Sequence, residues 1–201
     1  MVITTAEAER HIDSLVDYTT RFSLTRWNRF GLGFRDVLRR HRGLEASYRH
    51  ELKRSGPMPF SVMQHELLIT TDQDLMDGSM ADRAMRGAPG WAAPEMRRAT
   101  GELWLREQGE TAMATAQINF LRAIKVAREH GALAWELRAA TSLARLWRVD
   151  RAAEGRALLE EVLGRFSEGH DTADLMAALE LLVALGAPSP PLGHVSMITR
   201  H

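Results

Sequence analysis

The chain has 201 residues, 45% hydrophobic and 26% charged, enough for one domain or two small ones with a core that needs no disulfide staple. Its 26 basic and 26 acidic residues cancel, which argues against a chain built to coat nucleic acid or an anionic membrane. It has no cysteine, which excludes disulfides, thiolate nucleophiles and cysteine-ligated metal centres and fits a cytoplasmic protein.

Met1 to Arg10 holds no apolar run and does not read as a signal peptide. All seven prolines fall at 57, 59, 89, 94, 188, 190 and 191, so residues 1–56 and 95–187 are open to helix. Ala8, Ile12, Leu15, Val16 and Thr19 follow the helical period, and Thr4 with Glu7 makes a capping box. Trp27, Phe30, Gly31, Phe34, Val37 and Leu38 form the stripe of a second helix, and Leu44, Tyr48 and Leu52 that of a third, ended by Gly56-Pro57. Residues 57–93 are irregular, and their run Glu66 to Thr70 reads equally as helix or strand. Pro94 opens a helix to Gln108, and further helices are expected over Thr111–Glu129, Ala134–Arg148, Ala152–Phe166 and Leu175–Leu185, the last capped by Asp171 or Thr172. Leu175 to Ala187 is the longest nearly apolar stretch, and Glu180 interrupts it, so it is too short to span a bilayer. Residues 187–201 read as a tail.

The expected fold is all-α, with about seven or eight antiparallel helices. It divides into N-terminal hairpins over 1–56, an irregular degraded repeat over 57–93, hairpins over 94–186, and the tail. A weak repeat runs through it. Tetratricopeptide hairpins place small residues where their two helices cross, with large residues around them. Trp27, Phe30, Gly31 and Phe34 fit the first helix of such a pair, with Ala46 on the second. Gly101 and Trp104 fit a first helix, with Ala116, Phe120 and Ala123 on its partner. Leu143, Ala144 and Trp147 fit the next, with Gly155, Leu159 and Val162 opposite.

The wording of the chain is also familiar. Trp91-Ala-Ala-Pro94-Glu95, Gly101-Glu102-Leu103, Phe120-Leu-Arg-Ala123, Gly131-Ala132, Trp135-Glu136-Leu137-Arg138-Ala139, Leu143-Ala144-Arg145-Leu146-Trp147 and Gly169-His-Asp171-Thr172 occur in this order. Over residues 88–185 they resemble the C-terminal tetratricopeptide-like region of large bacterial signal-transduction ATPases with winged-helix, LuxR-type or nucleotide-cyclase output domains. Residues 5–56 match more loosely, and 57–87 depart from that pattern. The resemblance implies a helical sensor or interaction arm. The ATPase and output functions are not carried over, because the chain has no Gly-x4-Gly-Lys-Ser/Thr and only two lysines, Lys53 and Lys125.

Candidate chemistry is sparse. His41, His50, His130, His170 and His194 are scattered without metal-ligand spacing, so no metal or cofactor is expected. Gly31-Leu-Gly33 lacks the third glycine of a dinucleotide turn, and Glu107, Glu110, Glu160 and Glu161 read as solvated helix faces. The arginine excess is read as genome composition, since acids interleave with it. Trp27, Trp104, Trp135 and Trp147 are expected in the hairpin core, and Trp91 in an exposed loop. The basic stretch 35–54 and the acids Glu66, Asp72, Asp74, Asp77 and Asp82 read either as two solvated faces or as faces that meet each other, within the chain or across a dimer.

The functional expectation is a non-catalytic interaction module, with a structural remnant of a split regulator as the alternative. Repeat offsets from Gly31, Gly101 and Ala144 line its concave face with Asn28, Arg35, Arg98, Arg138, Thr141, Arg145 and Arg148. Guanidinium forks there suit an acidic peptide or a chain-end carboxylate. The opposing possibility is that these arginines pair with the chain's own acids, such as Glu102 and Glu136. The expected partner is a protein or acidic peptide, or a second copy, with no direct nucleic acid and no membrane.

Overall fold

The computed structural model describes residues 5–44, 62–87, 90–169 and 171–186. All regular structure among them is helical: α1 (Thr5–Arg21), α2 (Thr25–His41), α3 (Val62–Thr71), α4 (Gly78–Met85), α5 (Ala93–Gln108), α6 (Met113–Glu129), α7 (Leu133–Trp147), α8 (Ala152–Leu163) and α9 (Ala173–Ala184). Short 3₁₀ turns at Gln73–Leu75 and Gly109–Ala112 join them. The protein is therefore all-α. The expected third helix over 44–56, the Thr4 cap and the tail lie outside the described residues.

Two compact units divide the chain near residue 87: one is Met1–Arg86 with Gly90–Ala92, the other Gly87–Pro89 with Ala93–His201. In the first, α1 and α2 pack as a hairpin and α3 packs on α2. Glycines permit the approach. A Cβ on Gly31 would lie 2.6 Å from Val16 Cγ2, and one on Gly33 2.7 Å from Leu68 Cδ2. Asn28 closes the turn end by donating from Nδ2 to Thr20 Oγ1 at 2.8 Å and Thr19 Oγ1 at 3.1 Å. The ambiguous run Glu66 to Thr70 is helical, within α3, where Leu68 and Ile69 are buried. Asp77 then caps α4, accepting a hydrogen bond from the Met80 amide at 2.9 Å.

In the second unit, α5 to α8 run as consecutive hairpins, with α7 also packed on α5 and α9. The core joins Phe120, Ala123, Leu137, Leu143, Ala144, Leu159, Leu175 and Leu182. The crossings fall on small residues. A Cβ on Gly101 would meet Phe120 Cε1 at 2.6 Å, and one on Gly155 would lie 3.2 Å from Ala144 Cα. These are the pairs that the repeat register matches. Between α6 and α7 the chain reverses at Gly131, whose φ of 64° is in the left-handed region that glycine enters without strain. Ala132 follows by donating its amide to Ala127 O at 2.9 Å, which satisfies a carbonyl at the end of α6.

Candidate interaction surface

The expected groove residues belong to both units and meet different fates. In the first unit, Asn28 spends its amide on the α1–α2 turn, and Arg35 forms an ion pair with Asp13 at 2.8 Å. In the second, Arg98 is buried and forks onto Glu95, with Nε to Oε2 at 2.8 Å and Nη2 to Oε1 at 2.6 Å. Burial pulls its pKa down, but the hydrogen bonds and charge of Glu95 outweigh that, and the net direction is upward. Arg138 bridges Asp174 at 2.7 Å and Glu95 at 3.4 Å. Thr141 is buried and donates to Leu137 O. Arg145 and Arg148 are exposed and have no acidic partner among the described residues.

The face shared by α5, α7 and α9 is thus an internal salt network. Ser142 extends it, donating to Glu102 Oε1 at 2.6 Å and accepting from Arg98 Nη1 at 3.4 Å. Glu95 is the hub, and it is fully enclosed. A second hub is Glu136, also fully buried, which accepts from Arg128 at 2.6 Å on Oε1 and from Arg165 at 2.7 Å on Oε2. A buried carboxylate is tolerable only with such partners, because an unpaired one would be expelled or protonated. The groove's cations are therefore largely neutralised from within, by Glu95, Glu102 and Asp174.

Of the two charged stretches of the first unit, residues 45–54 lie outside the described residues. Arg35 and Arg42 pair with Asp13 and Glu9 of α1. In the acidic run, Asp72 and Asp77 are helix caps, and Glu66 accepts from Arg83 at 3.3 Å. These short caps satisfy amides that helix formation leaves open.

Of the tryptophans expected in the hairpin core, Trp104, Trp135 and Trp147 are partly buried, Trp147 packed against the core of the second unit, and Trp27 is the exception at 56% exposed. Trp147 is half-buried, donating from Nε1 to Gln117 at 2.8 Å while Arg151 stacks over its ring at 4.0 Å. Trp91 is exposed, as its loop position suggested. Trp27 belongs to an unforeseen patch at the α1–α2 turn. Tyr18, Phe22 and Leu24 are exposed beside it in sequence, Tyr18 and Phe22 with ring centroids 4.6 Å apart and Arg21 over Phe22 at 5.5 Å. Four large apolar residues exposed within ten positions are more than a soluble surface ordinarily scatters. The signal in the sequence was that turn Phe22-Ser-Leu24, which is too apolar for a bare loop.

A cleft of about 320 Å³ opens between the start of α7 and the start of α9, lined by Leu133, Leu137, Phe166 and Leu175 with Arg165 and Asp174 at its polar side. Both charged groups are already engaged, with Glu136 and Arg138. Among the described residues no group of three or more His, Asp or Glu side chains is placed to hold a metal ion, and no helix is long and apolar enough to cross a membrane.

The class that fold and surface define is an all-α protein of packed helical hairpins. No protein-family model matches the chain, and it has no detectable match among curated proteins or solved structures.

Proposed function

We propose that the chain is a non-catalytic, cytoplasmic protein-interaction module, built as a degenerate tetratricopeptide-like array and resembling the sensor arm of a bacterial ATPase-type transcriptional regulator. The repeat reading is supported by the close approaches at Gly101 with Phe120 and Ala144 with Gly155. The interaction reading rests on one observation, the exposed aromatic patch of Tyr18, Phe22, Leu24 and Trp27. Aromatic residues beside arginine are the side chains that dominate binding energy at protein interfaces. The acidic-peptide version of the reading now rests on Arg145 and Arg148 alone.

Exposed side chains can be changed without unfolding the hairpin, so the test is direct. Phe22→Ser with Trp27→Ser should keep the wild-type melting temperature and lose the partner captured from the native cytosol. Arg145→Glu with Arg148→Glu tests the groove in the same assay. Capture unchanged by either double variant, both still folded, refutes the module. A remnant of a split regulator is the second reading, favoured by Met176 and Val183, which leave half-exposed apolar surface on α9. That reading predicts concentration-dependent association of the wild type, in sedimentation, that Met176→Ser with Val183→Ser abolishes.

A further inference from the structure

The cleft of the second unit has walls from three elements. Leu133 and Leu137 come from the start of α7, Phe166 from the connector after α8, and Leu175 from α9. Leu137 and Leu175 are buried members of the core, so the floor of the cleft is apolar and continuous with it. Two ion pairs pin the walls. Arg165 Nη1 on the connector meets Glu136 Oε2 of α7 at 2.7 Å, and Arg138 Nε of α7 meets Asp174 Oδ2 of α9 at 2.7 Å. The connector is itself shaped by Gly169, at a φ of 73°, and by the Thr172 amide, which donates to Gly169 O at 2.9 Å. The space is therefore preformed. Its volume of about 320 Å³ stands at the small end of ligand pockets, roughly 300–1,000 Å³. A cavity of about 150 Å³ already takes a benzene ring, so this cleft admits one ring with a short polar arm.

The charges on its rim do not cancel. Arg165 and Asp174 are each matched by their partner on α7. Glu168 also lines the cleft, is exposed, and has no ion pair among the described residues. Thr172, at the N-cap of α9, lines it too and makes no capping hydrogen bond with its side chain, so its hydroxyl remains an acceptor. An anion entering here would meet the uncompensated Glu168 carboxylate. A neutral apolar molecule would leave that carboxylate without a counterion. An ammonium, with three donors and a single positive charge, suits a carboxylate and a hydroxyl oxygen.

We propose that the cleft between α7 and α9 binds a small amphipathic cation, an aromatic or branched aliphatic amine, with its apolar body on Leu133, Leu137, Phe166 and Leu175 and its ammonium at Glu168. The site lies wholly within the second unit and does not depend on the aromatic patch or on the interaction reading. Ligand binding there would tie the start of α9 to the start of α7.

The test is a titration of the full chain followed by the methyl resonances of Leu133, Leu137 and Leu175, at low ionic strength, where an exposed ion pair is least screened. The probes are phenethylammonium, its neutral isostere phenethyl alcohol, the anion hydrocinnamate, and methylammonium. Phenethylammonium should shift these methyls saturably. Phenethyl alcohol should bind about 2–5-fold more weakly, the difference that one exposed ion pair makes, and hydrocinnamate more weakly still. Methylammonium lacks the apolar body and should leave the methyls unmoved. Glu168→Gln should keep the wild-type melting temperature and bring phenethylammonium down to the affinity of the alcohol. Ala134 is exposed at the edge of the cleft, and Ala134→Trp should fill the space and abolish the shift. Methyls that phenethylammonium does not move saturably in wild type would overturn the site, as would a saturable shift that persists in folded Ala134→Trp. Equal or tighter binding of the alcohol or the anion, or an unchanged affinity in Glu168→Gln, would overturn the assignment of a cation.

Discussion

Gly101→Ala tests whether the α5–α6 crossing is as tight as the repeat requires. The added Cβ would stand 2.6 Å from Phe120 Cε1, 3.0 Å from Cζ and 3.1 Å from Cδ1. Carbon atoms in contact prefer about 3.5–4.0 Å, so the ring must retreat by roughly 1 Å. It has nowhere to go, because Phe120 is fully enclosed among Ala116, Ala123 and Leu143. Overpacking of this kind costs about 1–3 kcal/mol. Against it, alanine in a helix interior gains roughly 0.8–1 kcal/mol over glycine. The balance is a loss of about 0–2 kcal/mol, a fall in melting temperature of up to about 8 °C at this chain length. Gly78→Ala is the control, since its Cβ meets nothing within 4 Å. It should change stability by less than about 0.5 kcal/mol. Gly101→Leu should likewise be worse than Gly109→Leu, which suffers only the strain of its φ of 60°, about 1–2 kcal/mol. Phe120→Leu should partly rescue Gly101→Ala in a double-mutant cycle. If Gly101→Ala melts above wild type, the crossing is loose and the repeat register loses its physical basis.

Three further outcomes follow from the structure. Far-ultraviolet circular dichroism should show more than half of the chain helical, with no significant strand signal. Glu136→Gln removes the charge that Arg128 and Arg165 share, and should lower stability by about 2 kcal/mol in denaturant titration, the range for hydrogen bonds to charged groups. His65 should make the first unit acid-sensitive. It is buried, its Nε2 donates to Leu75 O at 3.1 Å, its Nδ1 is unpaired, and burial holds its pKa below the ordinary 6.5 despite the hydrogen bond to Leu75 and the nearby charges of Asp77 and Glu66. The unfolded imidazole takes a proton near 6.5 and the folded one resists it, so stability is full above that value and falls as pH drops through it. His65→Gln keeps a donor for Leu75 O and cannot titrate; the fall between pH 7 and the folded value should be smaller in that variant, and an unchanged fall refutes the assignment.

Much of the fold was legible because punctuation and periodicity agreed. Pro94, Gly109 and Gly131 bracket α5 and α6 within a residue or two, and Gly186 follows α9 closely. The run Glu66 to Thr70 was ambiguous for a physical reason: with apolar residues on successive positions, no polar face reveals the period. The short helix α4 was missed although Asp77, followed by Ser79 and then the buried Met80, Ala81 and Ala84, is a readable cap and apolar face. Trp27 departs from the core although its spacing fits the stripe, because a ring with a polar edge settles readily at an exposed position.

The groove was less legible, and the reason is sequence distance. Repeat offsets placed Arg98 and Arg138 on one face, but their compensation comes from afar: Arg138 meets Glu95 across 43 positions and Asp174 across 36. No local pattern encodes that. What remains for a ligand is therefore the residue of internal pairing, not the arginine count. Arg145 and Arg148 sit at the C-terminal end of α7, where positive charge complements the helix dipole and has a structural use. In a chain of zero net charge, long-range steering is weak and screening confines each charge to about 8–10 Å. Recognition of a charged partner must then come from groups close to it, and of the expected groove arginines Arg145 and Arg148 are the two without an acidic partner among the described residues.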